Sequence, residues 1–130
     1  MDKKIVMLVL CRKVLAKLFI EHIKNNTQME AIGVYKFNEA KNMALIHKPT
    51  LALVEIPERH GEAAREAFAV CEDIKEVCPD CQIMLMCPEQ DKKSVDACIE
   101  AKRNDKIEDY VFYDTTPEYL TSKIEALMPI

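Results

Sequence analysis

The chain alternates short apolar runs with amphipathic segments five times, and this alternation constrains its fold more than any other feature. The segments between the runs repeat apolar residues at the spacing of a helix face. Strands that alternate with helices require right-handed crossovers, so we predict an α/β fold with a parallel sheet covered by helices on both faces. The predicted strands are 4–10, 30–35, 49–55, 82–87 and 110–113.

The predicted helices fill the intervals between these strands. They cover about 14–24, 38–47, 62–77 and 91–102, and a last helix starts at 116 with Pro117 at a first-turn position. Their spacing places apolar residues on the inward faces, and these include Val14, Leu18, Phe19 and Ile23 in the first helix, Ala44 and Ile46 in the second, and Cys98 and Ile99 in the fourth. Because the connections are short, we expect a single domain over 1–130.

Charge and hydropathy exclude several classes of function. With 18 basic and 22 acidic residues, the net charge is −4, and Lys3-Lys4 and Lys92-Lys93 are too short to form a basic face. We therefore predict no nucleic-acid binding. The apolar run before Cys11 is too short for a membrane span, and Val9-Leu10 does not suit a signal cleavage site. A cytoplasmic location without membrane association is the expectation.

Glu55 is the most informative single position. It ends the run Pro49-Thr50-Leu51-Ala52-Leu53-Val54 at the carboxyl edge of the predicted sheet. Open α/β sheets usually place their chemistry at this edge. From the residues alone, Glu55 is either a functional carboxylate or a solvated one at the end of a strand.

Three strings, in their order and spacing, resemble a response-regulator receiver domain of two-component systems (CheY-like). Lys48–Ile56, KPTLALVEI, looks like the strand that carries the phosphoacceptor, and Ser94–Ala97 resembles the start of the fourth helix. Asp109–Leu120, DYVFYDTTPEYL, aligns without a gap with the family's DYLTKPFDPEEL. The resemblance covers nearly the whole chain. It implies a flavodoxin-like (βα)5 three-layer sandwich with the sheet order 2-1-3-4-5.

The working positions of that family carry over one at a time, and all those needed for phosphorylation are changed here. The resemblance places the phosphoacceptor at Glu55, the acidic Mg²⁺-binding pair at Leu10 and Cys11, the switch hydroxyl at Met86, the lysine at Tyr113 and the aromatic switch at Tyr110. The aromatic position alone keeps its residue type.

These changes predict a receiver-like domain that is degenerate at its phosphorylation site. Leu10 and Cys11 offer Mg²⁺ no oxygen ligands. Without metal and lysine, nothing neutralises a transferring phosphoryl group. We expect no cofactor, no metal and no enzymatic activity, and Glu55 is interpreted as a remnant that could imitate the phosphorylated state. An output domain could follow in a longer protein.

The expected activity is protein–protein contact in phosphorelay signalling. The resemblance implies a histidine kinase, an output domain or a second copy of the chain as partner. The contact surface would combine the fourth helix, the fifth strand and the last helix, and would contain Tyr110, Val95 and Ile99.

The alternative function uses Cys11 as a nucleophile. Cys11 lies between a strand and a helix, where a helix dipole lowers a thiol pKa. This placement is similar to the IIB components of sugar phosphotransferase systems, which would make the chain a small phosphocarrier or thiol-dependent enzyme. However, Arg12–Leu15 offers no Gly, Ser or Thr to wrap a phosphate.

The other cysteines and the histidines leave weaker options. Cys78-Pro79-Asp80-Cys81 is either two thiols in a turn or a metal-binding or oxidation-sensitive pair. Cys11 and Cys87 with Glu55 could bind a soft metal, which is a less favoured option. The three histidines His22, His47 and His60 lie on different elements and suggest no triad, and His60 alone falls in the loop beside Glu55.

Overall fold

A computed structural model describes residues 3–58 and 63–128, and these form an α/β sandwich around one parallel sheet. The strand order is β2-β1-β3-β4-β5, as predicted. The strands are β1 Ile5–Val9, β2 Glu30–Val34, β3 Leu51–Glu55, β4 Gln82–Cys87 and β5 Asp109–Phe112. The helices are α1 Lys13–Asn26, α2 Ala40–His47, α3 Ala63–Val77, α4 Lys92–Arg103 and α5 Pro117–Leu127. The predicted fold class is confirmed.

The helices cover both faces of the sheet, with α1 and α5 on one side and α2, α3 and α4 on the other. All five residues of the central strand β3 are buried, which explains why its sequence is continuously apolar up to Glu55. On the α1/α5 side, His22 Nδ1 lies 3.1 Å from Thr121 Oγ1 and links the two helices. His22 therefore has a packing role at the edge of the core.

Four apolar residues predicted to face inward lie on the surface instead. Val14 is 85% exposed and Ile46 is 70% exposed, while Leu18 and Ile99 are also exposed. In α1 the inward stripe is Ala16, Phe19 and Ile23, which is narrower than the run of apolar residues in the sequence. Spacing alone cannot choose between two neighbouring stripes when both are apolar.

The helix starts differ in how they are capped. Asp91 caps α4 by accepting a hydrogen bond from Lys93 N–H at 3.1 Å, and Thr116 caps α5 by accepting one from Tyr119 N–H at 3.1 Å. The second helix, predicted from 38, begins at Ala40 after a 3₁₀ turn, Phe37–Glu39, and its cap residue Glu39 makes no side-chain cap bond. Arg12 occupies the cap position of α1 without capping it, so its side chain is available for other contacts.

The strand registers bring the ends of β1, β3 and β4 together at the carboxyl edge. Val9 pairs with Val54, and Glu55 pairs with Met86 on the other side. Loop residue His60 lies outside the described residues. Within the described ranges, no helix has the length and apolar character needed to cross a bilayer.

Candidate functional site

Glu55 is buried at the carboxyl edge, with only 3% of its surface exposed. It follows Leu51 and Leu53 at two-residue spacing, and these two leucines pack on the α1/α5 side of the sheet. A buried carboxylate is costly unless it is hydrogen-bonded and paired with a positive charge. The interpretation of Glu55 as a solvated carboxylate is therefore wrong, and its partners must be found inside the protein.

Both carboxylate oxygens of Glu55 have partners at the start of α1. The backbone N–H of Cys11 donates to Oε1 at 3.1 Å, and Nε of Arg12 donates to Oε2 at 3.1 Å. The Arg12–Glu55 contact is an ion pair in which the arginine side chain is 43% exposed and the glutamate side chain 4% exposed. Arg12 is thus the counter-ion of the buried Glu55 carboxylate.

Arg12 also contacts Met86, which lies in β4, and Tyr113, which directly follows β5. Its guanidinium carbon lies 4.2 Å from the centroid of the Tyr113 ring, and its Nη2 donates to Met86 Sδ at 3.7 Å. A guanidinium over an aromatic face is attracted to the ring electrons as well as packed against the ring. Arg12 therefore connects the end of β1 with β3, β4 and the residue after β5.

Tyr113 holds the other side of this arrangement. Its hydroxyl donates to the carbonyl oxygen of Ile56, the residue after β3. Burial, and next the charge of Glu55, raise the pKa of the Tyr113 phenol well above its usual range, although Arg12 acts in the opposite direction. Tyr113 consequently remains a neutral hydrogen-bond donor at physiological pH. We name Arg12, Glu55 and Tyr113 the edge trio.

The structure brings together only some of the positions predicted as a site. Leu10 and Met86 are fully buried in the apolar cluster beneath the edge trio. Cys11 is exposed, and its backbone N–H donates a hydrogen bond to the Glu55 carboxylate. Tyr110 lies elsewhere, packed against the cluster on the α2/α3/α4 side.

Arg12 is the functional residue that the sequence analysis missed. It stands three residues beyond the end of β1, whose parallel neighbour β3 ends in a glutamate. An arginine at this position can reach across the carboxyl edge of the sheet to the glutamate. The signal is weak, because Lys13 follows directly and lies 5.4 Å from the centroid of a different ring, that of Tyr35.

The soft-metal option is not supported by the geometry. Cys87 packs in the cluster on the α2/α3/α4 side, whereas Glu55 lies on the α1/α5 side of the sheet. In 3–58 and 63–128, no group of three His, Cys, Asp or Glu side chains is arranged to hold a metal ion.

The phosphocysteine option also loses support. A phosphate on Cys11 would need backbone N–H groups at the start of α1. The Cys11 N–H is already bonded to the Glu55 carboxylate, which would repel a second anion. Cys11 is exposed, but exposure alone does not provide a phosphate-binding site.

A second polar cluster lies on the surface formed by α4, β5 and α5. Asp109 Oδ1 accepts from Lys102 Nζ at 3.1 Å, and Asp109 Oδ2 lies 2.8 Å from Lys123 Nζ. Burial disfavours ionisation of Asp109, but the hydrogen bonds from Lys123, Tyr110 N–H and Lys102 outweigh it and hold the pKa of this carboxyl below its usual value. One carboxylate thus joins three elements.

Aromatic and apolar side chains surround this cluster. The rings of Tyr110 and Phe112 meet edge to face with their centroids 5.9 Å apart. Ile99 and Tyr119 are exposed on the same surface, on α4 and α5. Apolar and aromatic groups beside charges are typical of protein-binding surfaces.

The fold is that of receiver domains. A response regulator from Thermotoga maritima superposes with a TM-score of 0.77 at 16% identity, covering 96% of this chain and 97% of that one. The signal receiver domain of a putative LuxO repressor from Vibrio parahaemolyticus gives 0.76 at 17% identity, with 96% and 89% covered. A two-component response regulator from Clostridium difficile gives 0.76 at 18% identity, with 95% and 94% covered. No family model and no curated protein matches the sequence.

Proposed function

We propose that the chain is a receiver-like signalling domain of the cytoplasm that works through protein contacts and is not phosphorylated at its acidic position. The observation that carries this proposal is the Arg12–Glu55 ion pair. The guanidinium occupies the space above the carboxylate that an incoming phosphoryl group and its metal would need. Arg12 thus shields Glu55 from an incoming phosphoryl group and balances its negative charge.

The edge trio also argues against Glu55 as an imitation of the phosphorylated state. A permanent negative charge could imitate a phosphate only if it remained uncompensated. Arg12 lies 3.1 Å from Oε2, and Tyr113 is engaged with Ile56 rather than with an anion. We infer that the domain holds one arrangement of its carboxyl edge without an enzymatic or metal-dependent step.

The partner would bind the surface formed by α4, β5 and α5. This surface combines exposed Ile99 and Tyr119 with the Asp109 ion pairs. A histidine kinase, an output domain or a second copy of the chain would fit the resemblance. A change in the arrangement of this surface on binding would be sufficient for signalling.

Treatment with acetyl phosphate tests the proposal, with and without Mg²⁺. We expect no acid-stable or acid-labile phosphate adduct by intact-mass spectrometry, and no change in the amide NMR spectrum near Glu55. Glu55→Gln is the matched control, because it keeps the shape of the side chain and removes the acceptor. An adduct that disappears in Glu55→Gln would contradict the proposal, and a phosphate on Cys11 would favour the phosphocarrier alternative.

A further inference from the structure

The cysteines are distributed unevenly, and all but Cys11 lie on the α2/α3/α4 side of the sheet. These five are Cys71, Cys78, Cys81, Cys87 and Cys98. Cys78 and Cys81 stand at the two ends of the connection between α3 and β4, at the amino edge of the sheet. Glu55 lies at the opposite, carboxyl edge of the sheet, so Cys78 and Cys81 are not part of the edge trio's surroundings.

The connection from Cys78 to Cys81 is a tight turn that brings its two cysteines close together. The Cys81 N–H donates to the Cys78 carbonyl oxygen at 3.0 Å. Such a bond closes a four-residue turn whose first and last Cα atoms are within about 7 Å of each other. Disulfides need a Cα separation of about 4.4–6.8 Å.

The two thiols differ in access to solvent. Cys81 is fully buried, whereas Cys78 is partly exposed. Cys78 Sγ lies 3.6 Å from the Pro49 carbonyl oxygen, and Cys81 Sγ lies 3.4 Å from that of Gln82. These weak contacts hold the thiols in place but leave Cys78 open to a small reagent.

A lysine ammonium is fixed over this turn. Lys75 Nζ donates to the carbonyl oxygens of Pro79 at 2.9 Å and Cys81 at 2.8 Å. A nearby cation favours the thiolate, which is the form that reacts with disulfides. The turn thus places two thiols and a positive charge together.

We propose that Cys78 and Cys81 are a redox modification site that forms a reversible disulfide with a low-molecular-weight disulfide such as glutathione disulfide, and that Cys78 reacts first. The Cys78 thiolate attacks one sulfur of glutathione disulfide, so a mixed disulfide forms and one glutathione thiolate leaves. Cys81 then loses its proton and attacks the Cys78 sulfur, which releases the second glutathione. The two protein sulfurs are oxidised, glutathione is reduced, and the two glutathione thiolates take up the two protons.

The environment of Cys81 supports this order of events. Burial, and next the charge of Cys78, raise the pKa of Cys81 to about 12, so Cys81 is a poor first nucleophile. Once Cys78 carries glutathione, its negative charge is absent, and Cys81 becomes easier to deprotonate beside Lys75. The second step therefore follows the first.

The neighbouring cysteines are less suited to the same reaction. Burial raises the pKa of Cys71 to about 12, and Cys71 lies on α3 rather than on the turn. Cys87 and Cys98 are both fully buried, so neither offers an exposed thiol through which a reagent could enter.

Oxidation of the whole chain with glutathione disulfide tests the proposal. The protein is then denatured, the remaining thiols are blocked with N-ethylmaleimide, and the products are analysed by intact-mass and fragment-ion mass spectrometry. We expect the loss of two alkylatable thiols and a link between Cys78 and Cys81, reversed by dithiothreitol. Cys71→Ser is the matched control and should keep this behaviour.

Variants of the pair separate the two steps. Cys81→Ser should stop at one glutathione on Cys78, and Cys78→Ser should lose both the adduct and the disulfide. Because a serine hydroxyl replaces a buried thiol in Cys81→Ser, Cys81→Ala is the second variant, and circular dichroism checks that each variant folds. Lys75→Met should slow the second step, the attack of Cys81 on the mixed disulfide, because the Lys75 charge favours the Cys81 thiolate, and Lys75→Arg should restore the rate.

Several results would overturn the proposal. These are six alkylatable thiols after oxidation, a link between Cys71 and Cys81 or between Cys87 and Cys98, or a folded Cys81→Ala variant in which Cys78 carries no glutathione while Cys71, Cys87 or Cys98 does.

Discussion

Glu55 and Asp109 are two carboxylates with positively charged partners, but they differ in their surroundings. Glu55 is 4% exposed at its side chain and is paired with one guanidinium from a loop. Asp109 is 17% exposed and is paired with two lysines, of which Lys102 is 51% exposed and Lys123 is 25% exposed. A buried charge depends on its partner, whereas a surface charge keeps water as a substitute. We therefore interpret the edge trio as a fixed support and the Asp109 cluster as an adjustable link between elements.

Removal of the arginine should have the largest effect. Arg12→Ala leaves Glu55 buried without a counter-ion, and we expect the free energy of unfolding to fall by about 2–3 kcal/mol. This value is below the range for fully buried pairs, because the Arg12 side chain is 43% exposed. Urea unfolding followed by circular dichroism measures it.

The control for this experiment is the neighbouring cation. Lys13→Ala removes a charge one residue away whose ammonium lies over the Tyr35 ring, and it should change stability by no more than about 0.5 kcal/mol. The double variant Arg12→Met/Glu55→Gln should recover part of the loss, since it removes both charges. Equal losses in Arg12→Ala and Lys13→Ala would contradict the assignment of a special role to Arg12.

Loss of the Tyr113 hydroxyl should have an intermediate effect. Tyr113→Phe keeps the ring under Arg12 but leaves the Ile56 carbonyl without this donor. We expect a loss of about 1 kcal/mol in the free energy of unfolding, the usual contribution of one hydrogen bond. Thermal unfolding at matched pH provides the measurement. A loss as large as that of Arg12→Ala would mean that the hydroxyl, and not the ion pair, supports the edge.

The Asp109 cluster should show the smallest effect and a characteristic pH dependence. Lys123→Met should lower the free energy of unfolding by about 0.5 kcal/mol near neutral pH. Because the folded pKa of Asp109 is depressed, its ionised form stabilises the protein above the unfolded pKa of about 3.9. That contribution disappears as the pH falls through the folded pKa.

The difference between parent and variant should therefore vanish in acid. Denaturant unfolding at a series of pH values from neutral to acidic tests this. Lys102→Met is the matched control, since it removes the more exposed of the two partners and should have the weaker effect. A difference that grows toward low pH would contradict the assigned sign.

The fold was predictable because its signals are local and repeated. Five apolar runs at strand length, separated by helical spacing, restrict the topology before any contact is known. The orientation of helices was less predictable: α1 has two adjacent apolar stripes, and only packing decides that Phe19 is buried while Val14 is exposed. Similar ambiguity affected Ile46 in the short helix α2.

The candidate site was predictable in location but not in composition. The position of Glu55 at the end of β3 followed from the sequence, as did the absence of a carboxylate pair at Leu10 and Cys11. The role of Arg12 did not, because a long side chain can turn toward either side of a loop. Its direction is decided by Glu55 and Tyr113, which lie 43 and 101 positions along the chain.

The hydrogen bond from Tyr113 to Ile56 has a consequence for motion. Ile56 N–H donates to the Met86 carbonyl oxygen at 2.8 Å, and Tyr113 N–H donates to that of Cys87 at 3.1 Å. With Cys11 N–H bonded to Glu55, the ends of four strands are joined in one chain of hydrogen bonds. Groups linked in this way open together. In hydrogen–deuterium exchange the amides of Cys11, Ile56 and Tyr113 should exchange with a common opening free energy, as one cooperative unit.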